Sequence, residues 1–183
     1  MTTTFTIPTL ETERLILRAP AEKDFAAEAA FYASDASSFV GGPKRPDETW
    51  RMLCALVGHW AFRGFGLWAV EHKPTGAYLG KVGLWFPANW PEREVGWSLV
   101  PGAWGHGYAT EAALAARAHA YDTLGWDTAI SVIDPENTAS QAVARRLGAA
   151  FETTHEHPVY GTLHIWRHPG PDSLIGGGME ACA

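Results

Sequence analysis

The strand-like run EREVGWSLV, residues 92–100, passes through PGAWGHG straight into YATEAALAARAHAYDTL, residues 108–124. No other feature constrains the fold as much. The chain must leave an extended segment, turn within a few residues, and enter an alanine-rich helix with Glu111 near its start and Gly125 beyond its end. Gly105 and Gly107 carry no side chains to obstruct an anion, so backbone N–H groups can converge there. The helix start adds unpaired N–H groups and the positive end of its dipole. A GxG turn also ends strands for conformational reasons alone, so on this motif the anion site and the plain turn stand level.

The flanking sequence narrows the choice. Residues 12–20 read as a strand ended by Pro20, and residues 21–35 as a helix with Phe25, Ala29 and Tyr32 at helical spacing. After the breaker cluster GGPKRP, Asp47 is placed as the N-cap of a helix to about Phe62, with Trp50, Leu53, Val57 and Trp60 on one face. Residues 66–72, 77–86 and 92–100 read as an antiparallel meander, because the connections KPTG and PANWP are short. Beyond the long helix come a strand at 127–133, a short helix at 137–147 capped by Asn137 and closed by Gly148, and strands at 151–157 and 162–168. The order β-α-α-β-β-β-α-β-α-β-β gives one α+β domain: a mixed, mostly antiparallel sheet flanked by helices. It spans residues 10–168, with 169–183 expected to be a flexible Gly/Pro-rich tail.

Two familiar phosphate loops fail here. Gly102 and Gly107 have the Walker spacing, but Tyr108 stands where lysine is needed. The dinucleotide fingerprint requires a third glycine and the first strand of a βαβ unit. Here Ala109 and Thr110 follow, after a meander.

Composition bounds the partners. A formal net charge of −6 gives no reason to expect nucleic acid or an anionic membrane. No apolar run is long enough to span a bilayer, and the N-terminal residues lack a leader pattern, so a cytoplasmic location is expected. Cys54 and Cys182 lack metal-ligand spacing. His155 and His157 share a strand face with His164 in reach, but no accompanying motif supports a metal.

Taken together, the segments LETERLILR, EVGWSLVPGAWGHGYATEA and NTASQAVARRLG resemble the GCN5-related N-acetyltransferases (GNAT family), in that family's order and spacing. The likeness covers about residues 10–168 and is greatest toward the ribosomal-protein-alanine N-acetyltransferase branch. It implies a sheet splayed between the fourth and fifth strands, with acetyl-coenzyme A in the gap. The backbone of Leu99 and Val100 would pair with the pantetheine arm. The N–H groups of Gly105, His106, Gly107, Tyr108, Ala109 and Thr110 would hold the pyrophosphate. The usual loop starts with Arg or Gln where this chain has Trp104, a mark of the branch that removes one cationic contact. Asn137 and Ser140 match positions near the pantetheine and thiol; Asn137 is also a good N-cap. Arg145 and Arg146 are candidates for the nucleotide phosphate, at least one of them being a solvated helix charge.

The chemistry implied is acetyl transfer to a primary amine, either a protein N-terminus or a small molecule, by direct attack in a ternary complex, without metal. An N–H near Val100 would polarise the thioester carbonyl. Glu94 is the candidate base, with Glu92 or water as alternatives, and Glu111 matches the TEA motif in a structural role. Where many relatives place a tyrosine acid, this chain has Ala144, so Ser140 becomes the hydrogen-bond donor to the thiolate. Trp50, Trp60, Trp85, Trp90 and Tyr160 are candidates for the acceptor wall. Trp50 and Trp60 fall at core-like spacing, and Trp90 is the one expected to be exposed. A homodimer is also considered. The rival readings are a sensor that binds acetyl-coenzyme A without turnover, and an interaction domain whose glycine turn is only structural.

Overall fold

The computed structural model describes residues 5–176. Eight strands form one sheet in the order β1-β2-β3-β4-β5-β6-β8-β7. They are β1 Leu10–Glu11, β2 Leu15–Arg18, β3 Leu67–His72, β4 Tyr78–Trp85, β5 Glu94–Leu99, β6 Ile130–Ile133, β7 Ala150–His157 and β8 Gly161–Arg167. The helices are α1 Phe25–Tyr32, α2 Pro46–Arg63, α3 Tyr108–Asp122, α4 Thr138–Arg146 and α5 Pro171–Gly176. All strand pairs are antiparallel except β5 and β6, which share a single paired position, Glu94 with Ile130, before they diverge. The sheet is therefore mixed, mostly antiparallel and splayed where the sequence places the gap.

Four local expectations change. The first expected strand shortens to Leu15–Arg18, and a further short strand precedes it, because Thr12 N–H bonds back to Leu15 C=O and folds Leu10–Glu11 onto β2. The first helix contracts to α1, with 3₁₀ turns at Glu22–Asp24 and Asp35–Val40. α2 starts at Pro46, whose fixed φ suits the first helical position, so Arg45 and not Asp47 is the cap residue. Glu48 accepts the Arg45 N–H at 2.9 Å, while Asp47 faces solvent between Arg45 and Arg51. The inward stripe then runs Thr49, Leu53, Leu56 and Trp60, leaving Trp50 39% exposed against Phe25. Finally, Pro171–Gly176 of the expected tail is helical; residues 177–183 lie outside the described residues.

The main core lies between the sheet and α3. Ala112, Ala113, Ala116 and Ala120 present a flat, fully buried helix face to Val82, Leu84 and Val95. Small side chains there let α3 approach the strands closely. The opposite face of the sheet meets α1. Lys81 of β4 forms a buried ion pair with Glu28 of α1 at 2.5 Å. Lys81 is in register with Ser98, and Trp85 with Glu94, so Glu94 belongs to this α1 face.

Candidate active site

The turn after β5 is shaped by two left-handed glycines, Gly105 at φ +79° and Gly107 at φ +81°. Gly107 is the N-cap of α3 and supplies no side chain to its first turn. Among the described residues, the N–H groups of residues 105–110 have no hydrogen-bond partner. Six unspent donors at a helix start form a ready anion cradle. Trp104 anchors the turn by donating its indole N–H to Leu99 C=O at 2.7 Å. Arg14, which the sequence analysis did not single out, comes from the entry to β2. Its Nη1 donates to His106 C=O at 3.0 Å, and its guanidinium lies 4.7 Å from the Tyr108 ring centroid. A cation thus stands at the loop although Trp104 occupies the position where the resemblance would place one.

Glu111 has the structural role expected of it. It accepts from Thr12 Oγ1 at 2.5 Å and from Arg14 N at 2.9 Å, tying the first turn of α3 to the start of β2. Burial pushes its carboxyl up, but these bonds and the Arg14 charge outweigh it and hold the carboxyl below its ordinary range.

The splay creates a groove of about 1170 Å³ from this loop to α4, lined by Trp97, Leu99, Asn137, Ser140 and Arg146 among others. Which backbone groups face it follows from the β4–β5 ladder. Val100 N–H donates to Leu79 C=O at 3.0 Å, so it is spent inside the sheet and does not reach the gap. Antiparallel alternation then aims the N–H groups of Trp97 and Leu99 into the groove. The strand N–H groups open to the gap are therefore those of Trp97 and Leu99, not that of Val100 as the sequence suggested. Asn137 caps α4 by accepting Ser140 N–H at 3.0 Å. Ser140 Oγ accepts the Trp97 indole N–H at 3.2 Å, which leaves the hydroxyl proton to donate elsewhere. Arg146 faces the groove, whereas Arg145 lies over Trp166.

Where the strands part, a small cavity of about 40 Å³ is lined by Glu94, Trp97, Asp134, Asn137, Ser140 and Phe39. Glu94 is 7% exposed. Oε2 accepts the Trp90 indole N–H at 2.7 Å and Oε1 accepts Val132 N–H at 3.1 Å. Burial pushes its carboxyl up to about 7, against the opposing pull of those two donors. Glu92 is different. Both its oxygens meet Arg167 at 2.7 Å, and that guanidinium holds its carboxyl below the usual range, so Glu92 is committed to an exposed ion pair.

Of the aromatic candidates, Trp60 is core and donates to Leu67 C=O, while Trp85 stacks on His59. Trp90 is half-buried, contrary to expectation, because its indole reaches Glu94 and its ring meets His157 and Tyr160. Arg14 and Trp97 were missed as site residues, and Trp90, a candidate for the acceptor wall, was not expected to reach Glu94. Each depends on contacts between strands, turns and helices that no local pattern encodes. Among the described residues, no group of three His, Cys, Asp or Glu is arranged to hold a metal ion, and no helix is long and apolar enough to cross a membrane.

A family model for the acetyltransferase (GNAT) domain matches residues 14–150. Among curated proteins, the chain is 30% identical over 150 residues to the uncharacterized protein YkkB of Bacillus subtilis (strain 168), covering 79% of this chain and 87% of that one. An acetyltransferase structure from Agrobacterium tumefaciens str. C58 matches with a TM-score of 0.82 at 39% identity, over 92% of this chain and 98% of that chain. RimL, a ribosomal L7/L12 alpha-N-protein acetyltransferase in complex with coenzyme A, matches in fold with a TM-score of 0.72 at 18% identity, over 88% and 98% of the two chains.

Proposed function

The chain belongs to the acetyltransferase (GNAT) family, and on that premise we propose that it moves the acetyl group of acetyl-coenzyme A to a primary amine by direct attack in a ternary complex. The observation that carries this reading is the meeting of Glu94 and Ser140 in one cavity, at the inner end of a groove whose outer end offers six unspent N–H donors. Those donors, with Arg14 and Arg146 beside them, fit a pyrophosphate and a nucleotide phosphate. The N–H groups of Trp97 and Leu99 fit the amide-bearing arm. Acetyl-coenzyme A supplies the activated thioester.

The protein's own groups divide the remaining work. Glu94 removes the proton that the amine must lose, directly or through water. A carboxylate near 7 is better matched to an α-amine, whose ordinary pKa is about 8, than to a lysine amine at about 10.4. This favours an α-amine, whether of a protein N-terminus or of a small molecule. The Trp97 N–H stabilises charge on the carbonyl oxygen as attack proceeds. Ser140 donates its hydroxyl proton in a hydrogen bond to the departing sulfur, and water completes the proton transfer. The likeness to RimL, a structure containing coenzyme A, supports the cosubstrate.

The test is thiol release from acetyl-coenzyme A across a panel of α-amines, ε-amines and polyamines. Release with α-amines is expected. Stabilisation by coenzyme A on heating, but no release with any amine, would leave a binding protein and overturn the catalytic reading.

A further inference from the structure

Trp90 lies in the turn between β4 and β5, in the segment PANWP. That turn is a built feature. Asn89 adopts the left-handed conformation at φ +63°, and Trp90 N–H closes back onto Pro87 C=O at 3.3 Å. The indole is thereby presented to two neighbours at once. Its N–H donates to Glu94 Oε2, and its ring packs on the β7–β8 hairpin, 5.4 Å from His157 and 6.1 Å from Tyr160 between centroids. His157 is itself held, since its Nδ1 lies 3.1 Å from Val159 N–H and 3.3 Å from Tyr160 N–H.

We propose that Trp90 is a positioning residue for the transfer reaction: its indole N–H orients the Glu94 carboxylate toward the incoming amine and links that orientation to the β7–β8 hairpin. This rests on the reading of Glu94 as the base. Each Glu94 oxygen receives one N–H, from Val132 or from Trp90, so the carboxylate plane is set by two elements and each oxygen keeps a lone pair for the substrate. The titratable groups around it are Asp134, which shares the cavity, and His157 and Tyr160, which pack on the Trp90 ring.

Trp90→Phe keeps an aromatic ring and removes the donor. A donor to a carboxylate favours its charged form, so its loss should raise the pH at which Glu94 titrates by about one unit. The titration is read directly by ¹³C NMR of protein labelled at the glutamate carboxyl carbon, the Glu94 resonance being the one lost in Glu94→Gln. With alanine amide as acceptor, the acid limb of kcat/KM should move by the same amount, about tenfold slower at pH 6 and close to wild type above pH 8.5. Trp90→Gln places an amide N–H the same number of bonds from Cβ as the indole nitrogen, and should return the midpoint toward wild type. It also serves if the phenylalanine variant does not fold. An unmoved Glu94 midpoint in a folded Trp90→Phe, or in a folded Trp90→Gln a shift like that expected for phenylalanine, overturns the proposal. A shifted midpoint in a protein whose turnover is insensitive to Glu94→Gln leaves the tether standing and overturns the base instead.

Discussion

Glu94 Oε1 accepts the N–H of Val132 at 3.1 Å, the donor that continued pairing of β5 with β6 would direct to Val95 C=O. Val95 C=O is taken by the Ser131 hydroxyl at 2.6 Å. Two side chains thus replace one ladder hydrogen bond, and the sheet opens where they do so. Glu94 is part of the wedge that makes the gap.

Activity should rise with pH through about 7 and level off, because Glu94 must be deprotonated to accept a proton and burial holds its carboxyl there. Glu94→Gln should remove that limb and lower kcat by about 10²–10⁴. The pH profile of kcat/KM checks this; a wild-type profile flat from pH 5.5 to 8.5 would rule out Glu94 as the base.

The same group has an opposite effect on stability. Its folded pKa lies above the unfolded value, so the folded chain binds the proton more tightly between about 4.5 and 7. Stability should therefore fall as pH rises through this window, relative to Glu94→Gln. Urea melts of both proteins at pH 5 and pH 8 measure the difference, and parallel shifts would contradict it.

His168 should produce the reverse trend. It is buried with Nδ1 3.3 Å from Arg117 Nη1 and Nε2 2.9 Å from Ser131 Oγ. Burial, and then the Arg117 and Arg167 charges, push its pKa down to about 3. The contribution is present above the unfolded value near 6.5 and is lost as pH falls toward 3. His168→Gln should flatten the acid loss of Tm; an unchanged slope between pH 6.5 and pH 4 would show that His168 is not responsible.

At the glycine turn, Gly107→Val puts a β-branched residue at φ +81° and sets its Cβ about 3.5 Å from Arg14 Nη2. Such strain costs roughly 1–3 kcal/mol, and the side chain blocks close approach to the N–H cradle. Coenzyme A affinity by calorimetry should fall at least tenfold. Wild-type affinity in the folded variant would place the phosphate elsewhere.

Arg14→Gln should weaken coenzyme A binding about fivefold, an effect that shrinks with added salt because Arg14 is partly exposed. Calorimetry at low and high ionic strength tests this. Equal losses at both would point to loop disorder in place of a lost charge.

Much of the site was legible in the sequence because its signals are local. The Gly105/Gly107 turn, the alanine-rich α3 and the Asn137 cap depend on residues within one turn of each other. Trp50 was misplaced. The expected and observed stripes share Leu53 and Trp60, but packing turned Thr49 and Leu56 inward, and Trp50, about 100° around the helix from Thr49, falls at the edge of that face. Val100 was misassigned because which N–H groups face the gap depends on the β4 register, and shifting by one residue reverses every direction.

The sequence by itself determined the α+β order, the glycine turn into a helix, the family, and the residues Glu94, Asn137 and Ser140 as candidates, since motif spacing and backbone preference act over short stretches. Only the tertiary structure separated the surroundings of Glu94 from those of Glu92, put Arg14 beside the loop, and brought Trp90 to Glu94 and Trp97 to Ser140. Two glutamates in one PERE run are alike in sequence. Burial raises the pKa of one, while the charge of Arg167, a residue 75 positions from Glu92, holds the other in an ion pair.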